Sequence, residues 1–328
     1  MATTPSPSSP TENGPIDQGV QGATVAAKAV TASEVSDLID LPNGREISES
    51  SALAFANSRP VRWIVLAGQV GSGKTTLLTS LYDMFQWSRV GGFRFGGSRT
   101  LPGFEQRCHL SRAASERVVP DTSRTPYSPI PTFLHLRVSP ADEVPSAIDF
   151  LFTDVSGEMF EHACNSTDEC KELHFLRRAA AFVLILDGEK ATRPERRWAM
   201  VEEAQGLLRS CLDSSMLAED CKVIVLWSKG DCLETATESD EVREFRSEVE
   251  RGFRAVFDGR LKHLAFDEIA ARPTKAPQLG FGRGLAELLL RWAVDKSESA
   301  GMNLFPGSLK GSRESELFAL HPPGVNNP

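Results

Sequence analysis

Residues 68–76 read Gly68-Gln69-Val70-Gly71-Ser72-Gly73-Lys74-Thr75-Thr76. Every fixed position of G-x-x-x-x-G-K-[ST] is filled. Trp63-Ile64-Val65-Leu66-Ala67 runs into the loop, and Leu77, Leu81, Met84 and Phe85 leave it at helical spacing. A strand entering and a helix leaving is the setting in which this loop binds phosphate. Its glycines let the backbone wrap so that successive N–H groups point at phosphate oxygens, and the helix N-terminus adds a favourable dipole. In such a loop Lys74 reaches the β and γ phosphates and the Thr75 hydroxyl ligates Mg2+. The whole stretch from Gly68 to Thr76 is read as a phosphate cradle.

Outward from the loop, strand-like apolar runs at 61–67, 133–138, 148–153, 181–186, 223–227 and 263–269 alternate with amphipathic segments. Val242, Phe245, Val249, Phe253, Val256 and Phe257 mark one helix, and Leu285, Leu288, Leu289 and Trp292 another. Thr192-Arg193-Pro194-Glu195 has the spacing of a capping box ahead of a further helix. This alternation predicts an α/β fold of the P-loop NTPase kind, with a mostly parallel central sheet and helices on both faces. The runs at 133–138 and 148–153 are joined too briefly for a crossover helix, so one antiparallel edge strand is expected. Residues 1–51 are rich in Pro, Ser, Thr and Gly and hold no Phe, Trp or Tyr. Such a segment buries too little to offset its ordering entropy, and a similar composition returns after about 297. The expected organisation is a disordered leader (1–51), a P-loop NTPase domain (52–296) and a flexible C-terminal tail (297–328).

The chain has 328 residues with 36 Lys+Arg against 44 Asp+Glu, a formal net charge of −8. Phosphate neutralisation along a nucleic acid needs clustered Lys/Arg, so no nucleic-acid partner is expected. The longest apolar run, 179–186, falls far short of the roughly 20 residues of a membrane helix. The N-terminus lacks a basic region followed by an apolar one. A soluble, cytoplasmic protein with no membrane partner is the expectation. The six cysteines form no C-x-x-C pair and read as reduced thiols. His162, Cys164, Cys170 and His174 lie close in sequence, but their spacing matches no common zinc module.

Three later segments bear on the nucleotide. Asp154-Val155-Ser156-Gly157 ends an apolar strand, where Asp154 can reach Mg2+ through water and the Gly157 N–H can turn onto the γ-phosphate. Ser228-Lys229-Gly230-Asp231 follows another strand and fits [N/T/S]-K-x-D. The Asp231 carboxylate can accept from guanine N1–H and N2–H2, a pair adenine lacks, while the Lys229 stem covers a base face. Ser228 is shorter than the usual Asn at its position, which weakens any bridge back to the phosphate loop. Ala270-Ala271-Arg272 is the weakest match, offering a backbone N–H to guanine O6.

Together these residues resemble the translation-factor/Ras-like (TRAFAC) class of P-loop GTPases over about 61–295. More narrowly, Ser51-Ala52-Leu53, the 68–78 stretch, Gly97-Ser98-Arg99-Thr100-Leu101-Pro102-Gly103-Phe104-Glu105, Arg107-Cys108 and Phe133-Leu134-His135-Leu136 resemble the bacterial double-GTPase family. That resemblance implies GTP/GDP and Mg2+ as ligands. It also implies a regulatory role in a multi-protein conflict or antiviral defence system, with a second GTPase or an effector as partner.

An Mg2+-binding switch threonine is expected ahead of the 133–138 strand. Thr132 has the best position, with Thr125 and Thr122 as competitors. Arg99, Arg107, Arg112, Arg117 and Arg124 lie in the same region, any of them able to act as a built-in arginine finger, though solvated loop arginines are the commoner case. Val70 stands where Ras-like switches carry Gly and crowds the γ-phosphate. Glu158 follows the D-x-x-G where Gln is common; it can orient water, but its charge repels phosphate. With Lys74, Thr132 and Glu158 as the catalytic set, the chain reads as a GTP-binding switch with slow, partner-dependent hydrolysis. A P-loop ATPase with an accidental Ser228–Asp231 match and a non-hydrolysing nucleotide scaffold are the alternatives.

Overall fold

From Trp63 to Ala67 every residue of the strand Val61–Ala67 is buried, as an apolar run without polar alternation must be inside a sheet covered on both faces. The computed structural model describes residues 43–109, 125, 128–140, 147–164, 166–236 and 240–294. Its strands are β1 (Ile47–Ser48), β2 (Val61–Ala67), β3 (Phe93–Gly97), β4 (Thr132–Pro140), β5 (Ile148–Thr153), β6 (Ala179–Asp187), β7 (Lys222–Ser228) and β8 (Leu264–Glu268). They lie in the order β1-β4-β5-β2-β6-β7-β8, with β3 also paired to β4. From β5 through β8 all pairings are parallel, and β4 runs antiparallel to β5 from Phe133↔Thr153 to Val138↔Ile148.

The mostly parallel sheet is as expected, and its antiparallel margin is wider than one strand. The outer side of β4 pairs with β1 at its start (Ile47↔Phe133) and with β3 at its end (Phe93↔Pro140), both antiparallel. Neither short strand was legible, because β1 has two residues and β3 alternates only over Phe93-Arg94-Phe95 before its glycines.

Successive residues of a strand face opposite sides. Trp63, Val65 and Ala67 join a core built with α1 (Glu49–Ser58), α4 (Gly157–Ala163), α7 (Pro194–Asp213) and α9 (Asp240–Phe257). Ile64 and Leu66 join the opposite core with α2 (Lys74–Trp87), α3 (Leu101–Cys108) and α10 (Leu285–Ala293). The described residues also form the short α-helices α5 (Thr167–Glu172), α6 (Gly188–Ala191) and α8 (Gly230–Ala236).

Two expectations need correction. Residues 47–51, expected to belong to the leader, form β1 and the start of α1: Ser48 caps α1 by accepting from the Ser51 N–H (3.4 Å), and Ala52 and Phe55 are buried. The rest of the expected leader (1–42) and the expected tail lie outside the described residues. The capping box at Thr192 does not form either. The Thr192 hydroxyl donates to Glu189 O (2.9 Å), closing α6, and Arg193 precedes α7 without a side-chain cap. Among the described residues no helix is long and apolar enough to cross a membrane.

Candidate nucleotide-binding site

β2 delivers the chain to the phosphate loop, and α2 starts at Lys74. Gly71 and Gly73 sit at φ +77° and +94°, a region L side chains rarely adopt, so the turn needs glycine there. The Lys74 ammonium donates to Gly68 O (2.7 Å) and Gln69 O (3.0 Å), stretched across the loop. Burial pulls its pKa down to about 8, against the opposing pull of Glu158, Glu161 and Asp154. Ser72 lines the same cleft with a buried hydroxyl that has no partner among the described residues. A triphosphate fits these groups. It would supply acceptor oxygens to the Ser72 hydroxyl and to the N–H groups at the start of α2, and negative charge to Lys74.

Beside the loop, Thr75 Oγ1 lies 2.9 Å from Thr125 Oγ1, and Thr125 Oγ1 donates to Asp154 Oδ1 at 3.4 Å. Two hydroxyls and a carboxylate are the hard-oxygen donors that Mg2+ takes, so the cation fits here. The threonine brought to Thr75 is Thr125, and the placement expected for Thr132 is corrected. Thr132 opens β4, where its hydroxyl reaches Asp154 O (3.2 Å) and Glu46 Oε2 (3.3 Å), bracing the backbone of Asp154 instead of joining the cleft. Because β4 is antiparallel to β5, residue 132 lies level with the end of β5, and only a residue further back along the loop reaches Thr75. Thr122, Arg112, Arg117 and Arg124 lie outside the described residues. Arg107 pairs with Asp154 and with Glu46 (3.3 Å), and Arg99 lies 4.4 Å over the Phe55 ring. Burial raises the pKa of Asp154, with Arg107 opposing.

The turn after Asp154 rests directly on the phosphate loop. A Cβ at Gly157 would lie 2.3 Å from Val70 N, so glycine is what allows the approach. Val70, Gly157 and Glu158 line the cleft. Gly68 and Gln69 do not: the Gln69 side chain is drawn to Lys190 (2.5 Å) and Glu203.

At the far end stand Ser228, Lys229 and Asp231, where β7 passes into α8. The Ser228 hydroxyl donates to Leu186 O (3.2 Å), so it ties β7 to β6 and not to the loop. Lys229 adopts φ +49°, and its ammonium reaches Asp187 Oδ2 (2.8 Å) and Glu189 Oε2 (3.3 Å). Burial lowers its pKa, but these two carboxylates outweigh that and leave it raised. Asp231 is buried, and its Oδ2 accepts from the Thr274 and Lys275 N–H groups (2.9 and 3.0 Å). Ala270 is corrected as a base contact: its N–H is committed to Arg283 O (3.0 Å), whereas Ala271 lines the cleft. The clamp on Asp231 was missed in the sequence because backbone N–H groups carry no residue signature.

A single cleft of about 690 Å3 joins the two ends, from residues 70–76 past Thr125 and Glu158 to Ser228, Lys229, Asp231 and 271–275. His162, Cys164, Cys170 and His174 are not gathered into a metal site. Cys170 Sγ lies 3.7 Å from Cys211 Sγ, Cys164 Sγ donates to Glu203 O, and the described residues hold no cluster of His, Cys, Asp and Glu fit for a metal.

The phosphate loop and the Ser228–Asp231 segment thus stand at the C-terminal ends of parallel strands, where an open α/β sheet takes its ligand. With the antiparallel β4 beside them, this is the architecture of a translation-factor/Ras-like P-loop GTPase. The chain belongs to the Double-GTPase 2 family, whose model matches residues 62–293. No curated protein matches it. Among solved structures it is similar to a bacterial selenocysteine-specific elongation factor, EF-Sec, at 15% identity over 71% of this chain and 28% of that one (TM-score 0.33). It is also similar to a chain of the signal recognition particle receptor SRb-GTP/SRX complex from Chaetomium thermophilum, at 15% over 71% and 97% (TM-score 0.35). A third is the S. cerevisiae Ski7 GTPase-like domain bound to GDP and inorganic phosphate, at 15% over 66% and 45% (TM-score 0.40). The chain spans just over a quarter of the elongation factor and under half of the Ski7 chain.

Proposed function

We propose that this protein is a guanine-nucleotide switch that binds GTP and GDP with Mg2+, hydrolyses GTP slowly by itself and depends on a protein partner for faster turnover. The observation that carries the base assignment is Asp231, a buried carboxylate lining the cleft and held by the Thr274 and Lys275 N–H groups. A carboxylate offers about four acceptor sites, so two backbone donors leave room for guanine N1–H and N2–H2. Asp187 and Glu189 tether the Lys229 ammonium, which would leave its stem to cover a base face, and the Ala271 N–H would serve guanine O6.

Thr75, Thr125 and Asp154 would hold Mg2+, which would supply charge neutralisation on the phosphates. Lys74 steadies the charge that builds on the phosphates. Glu158 lies in the cleft and can orient the attacking water, but its charge works against an approach to phosphate, and Val70 narrows the same space. Slow intrinsic turnover follows, and a partner arginine would add roughly 10³–10⁵ in rate. The double-GTPase relationship supports a second GTPase or an effector of a conflict or defence system as that partner, acting in the cytoplasm.

Competition against a bound fluorescent GDP analogue tests the base: GTP and GDP displace it far better than ATP and ADP, and Asp231→Asn shifts preference to xanthine nucleotides. Equal displacement by ATP and GTP sinks the guanine assignment. Single-turnover hydrolysis tests the rate. Val70→Gly raises the basal or the partner-stimulated rate, while an unaltered protein already turning over at about 1 s⁻¹ is a self-sufficient hydrolase and no slow switch.

A further inference from the structure

The chain beyond Ala271 leaves the cleft wall and comes back to it. Gly282 N–H donates to Ala271 O (3.1 Å) and Ala270 N–H to Arg283 O (3.0 Å), so residues 272–281 form a closed arch at the base end of the cleft. Its first limb holds Asp231 through Thr274 and Lys275. Its second limb runs Gly280-Phe281-Gly282-Arg283-Gly284, with glycine at alternate positions at φ +78°, +76° and +82°.

Those glycines are structurally required. A Cβ at 282 would lie 2.3 Å from Met84 Sδ, and one at 284 would lie 2.4 Å from Glu268 O. The limb can therefore press against α2 and the end of β8, and Phe281 is the residue of this limb that lines the cleft. Phe281 is 48% exposed, an unusual state for a ring set between two conformationally demanding glycines. The Arg272 guanidinium, which also lines the cleft, lies over the ring at 5.3 Å from its centroid and is held by Ser80 Oγ (3.1 Å) and Asp83 Oδ2 (2.6 Å) of α2. The ring is braced, open and in the same cleft as the base-reading carboxylate.

We propose that Phe281 contacts the nucleobase, so that the 272–281 arch is a clamp: one limb positions Asp231 to read the base edge and the other covers the base with an aromatic ring. The proposal rests on the guanine-nucleotide reading above. Ring contact tolerates any base, since every base has a π-face; Phe281 therefore adds affinity and Asp231 supplies the discrimination.

Calorimetric titration of the full chain with GDP and with ADP, at saturating Mg2+, tests the clamp. Phe281→Ala is expected to weaken GDP about tenfold and to leave the GDP-over-ADP ratio unchanged, while Phe281→Tyr binds as the parent does. Phe281 belongs to neither core, so these replacements leave the fold intact. As a second measurement, Phe281→Trp places an indole whose emission changes when GDP binds. Unchanged GDP affinity in Phe281→Ala, or an introduced indole indifferent to saturating GDP, overturns the clamp and leaves the guanine reading standing. An unaltered protein that binds GDP and ADP equally overturns the guanine reading itself, a result distinct from either.

Discussion

Lys74 carries the sharpest electrostatic consequence. Buried among Glu158, Glu161 and Asp154 yet dominated by desolvation, its ammonium has a pKa of about 8 in the nucleotide-free protein. A bound phosphate chain sits against that ammonium and favours its charged form, so the pKa rises on binding. The sign follows directly. Well below pH 8 both states carry the proton and Lys74 contributes no exchange; above it the free protein has lost the proton and the complex regains it. GDP affinity therefore falls as pH climbs past about 8, and binding near pH 9 takes up a proton. Titrations at about pH 9 and about pH 6.5 in buffers of different ionisation heat measure this, and equal proton exchange at the two pH values contradicts it.

Among the elements, the decisive contact is between the Asp154–Gly157 turn and the phosphate loop. Gly157 packs on the Gln69–Val70 backbone at a distance no other residue allows. Gly157→Ala must push the two apart, which is overpacking of backbone against backbone. The expected result is a loss of about 1–3 kcal/mol in denaturant stability together with weaker GDP binding; a variant matching the parent in both shows that the contact is dispensable. The second element of note is α3, which delivers Arg107 to Asp154. Its approach is pinned to β4: Arg99 N–H donates to His135 Nδ1 (2.9 Å), His135 N–H donates to Thr100 Oγ1 (2.9 Å), and His135 Nε2 meets Asp149 Oδ1 (2.9 Å). Burial lowers the His135 pKa although Asp149 opposes it, so the ring favours the neutral form that can accept from Arg99. The double-GTPase-like stretches around Gly97–Glu105 and Phe133–Leu136 are thus two sides of one joint.

At the scale of the whole molecule, residues 44–47 are tied to the cleft. Ile47 pairs with Phe133, Gly103 N–H donates to Gly44 O (3.2 Å), and Glu46 meets both Thr132 and Arg107. A chain beginning at Ser51 loses all of these, whereas one beginning at Asn43 keeps them. The shorter chain is expected to melt about 5 °C or more below the longer and to bind GDP less tightly, because Arg107 loses its Glu46 partner beside Asp154. Equal midpoints by calorimetry show that the segment is a passenger.

The sequence alone was sufficient for the phosphate loop, the alternating strands and helices, the antiparallel relation of β4 to β5 and the placing of Asp154, Lys229 and Asp231 at strand ends. These depend on local pattern: glycines that permit a backbone path, apolar runs that must be buried, and charged groups at strand ends. Tertiary structure decided what depends on distance between segments remote in the chain. It set Thr125 instead of Thr132 against Thr75, because an antiparallel strand places residue 132 beside the end of β5. It committed the Ala270 N–H to Arg283, gave Asp231 two backbone donors, and drew Arg107 to Asp154 with Glu46 on the same guanidinium. It also added β1 at Ile47–Ser48, where a two-residue strand is too short to show a period and is held by its partner across the sheet.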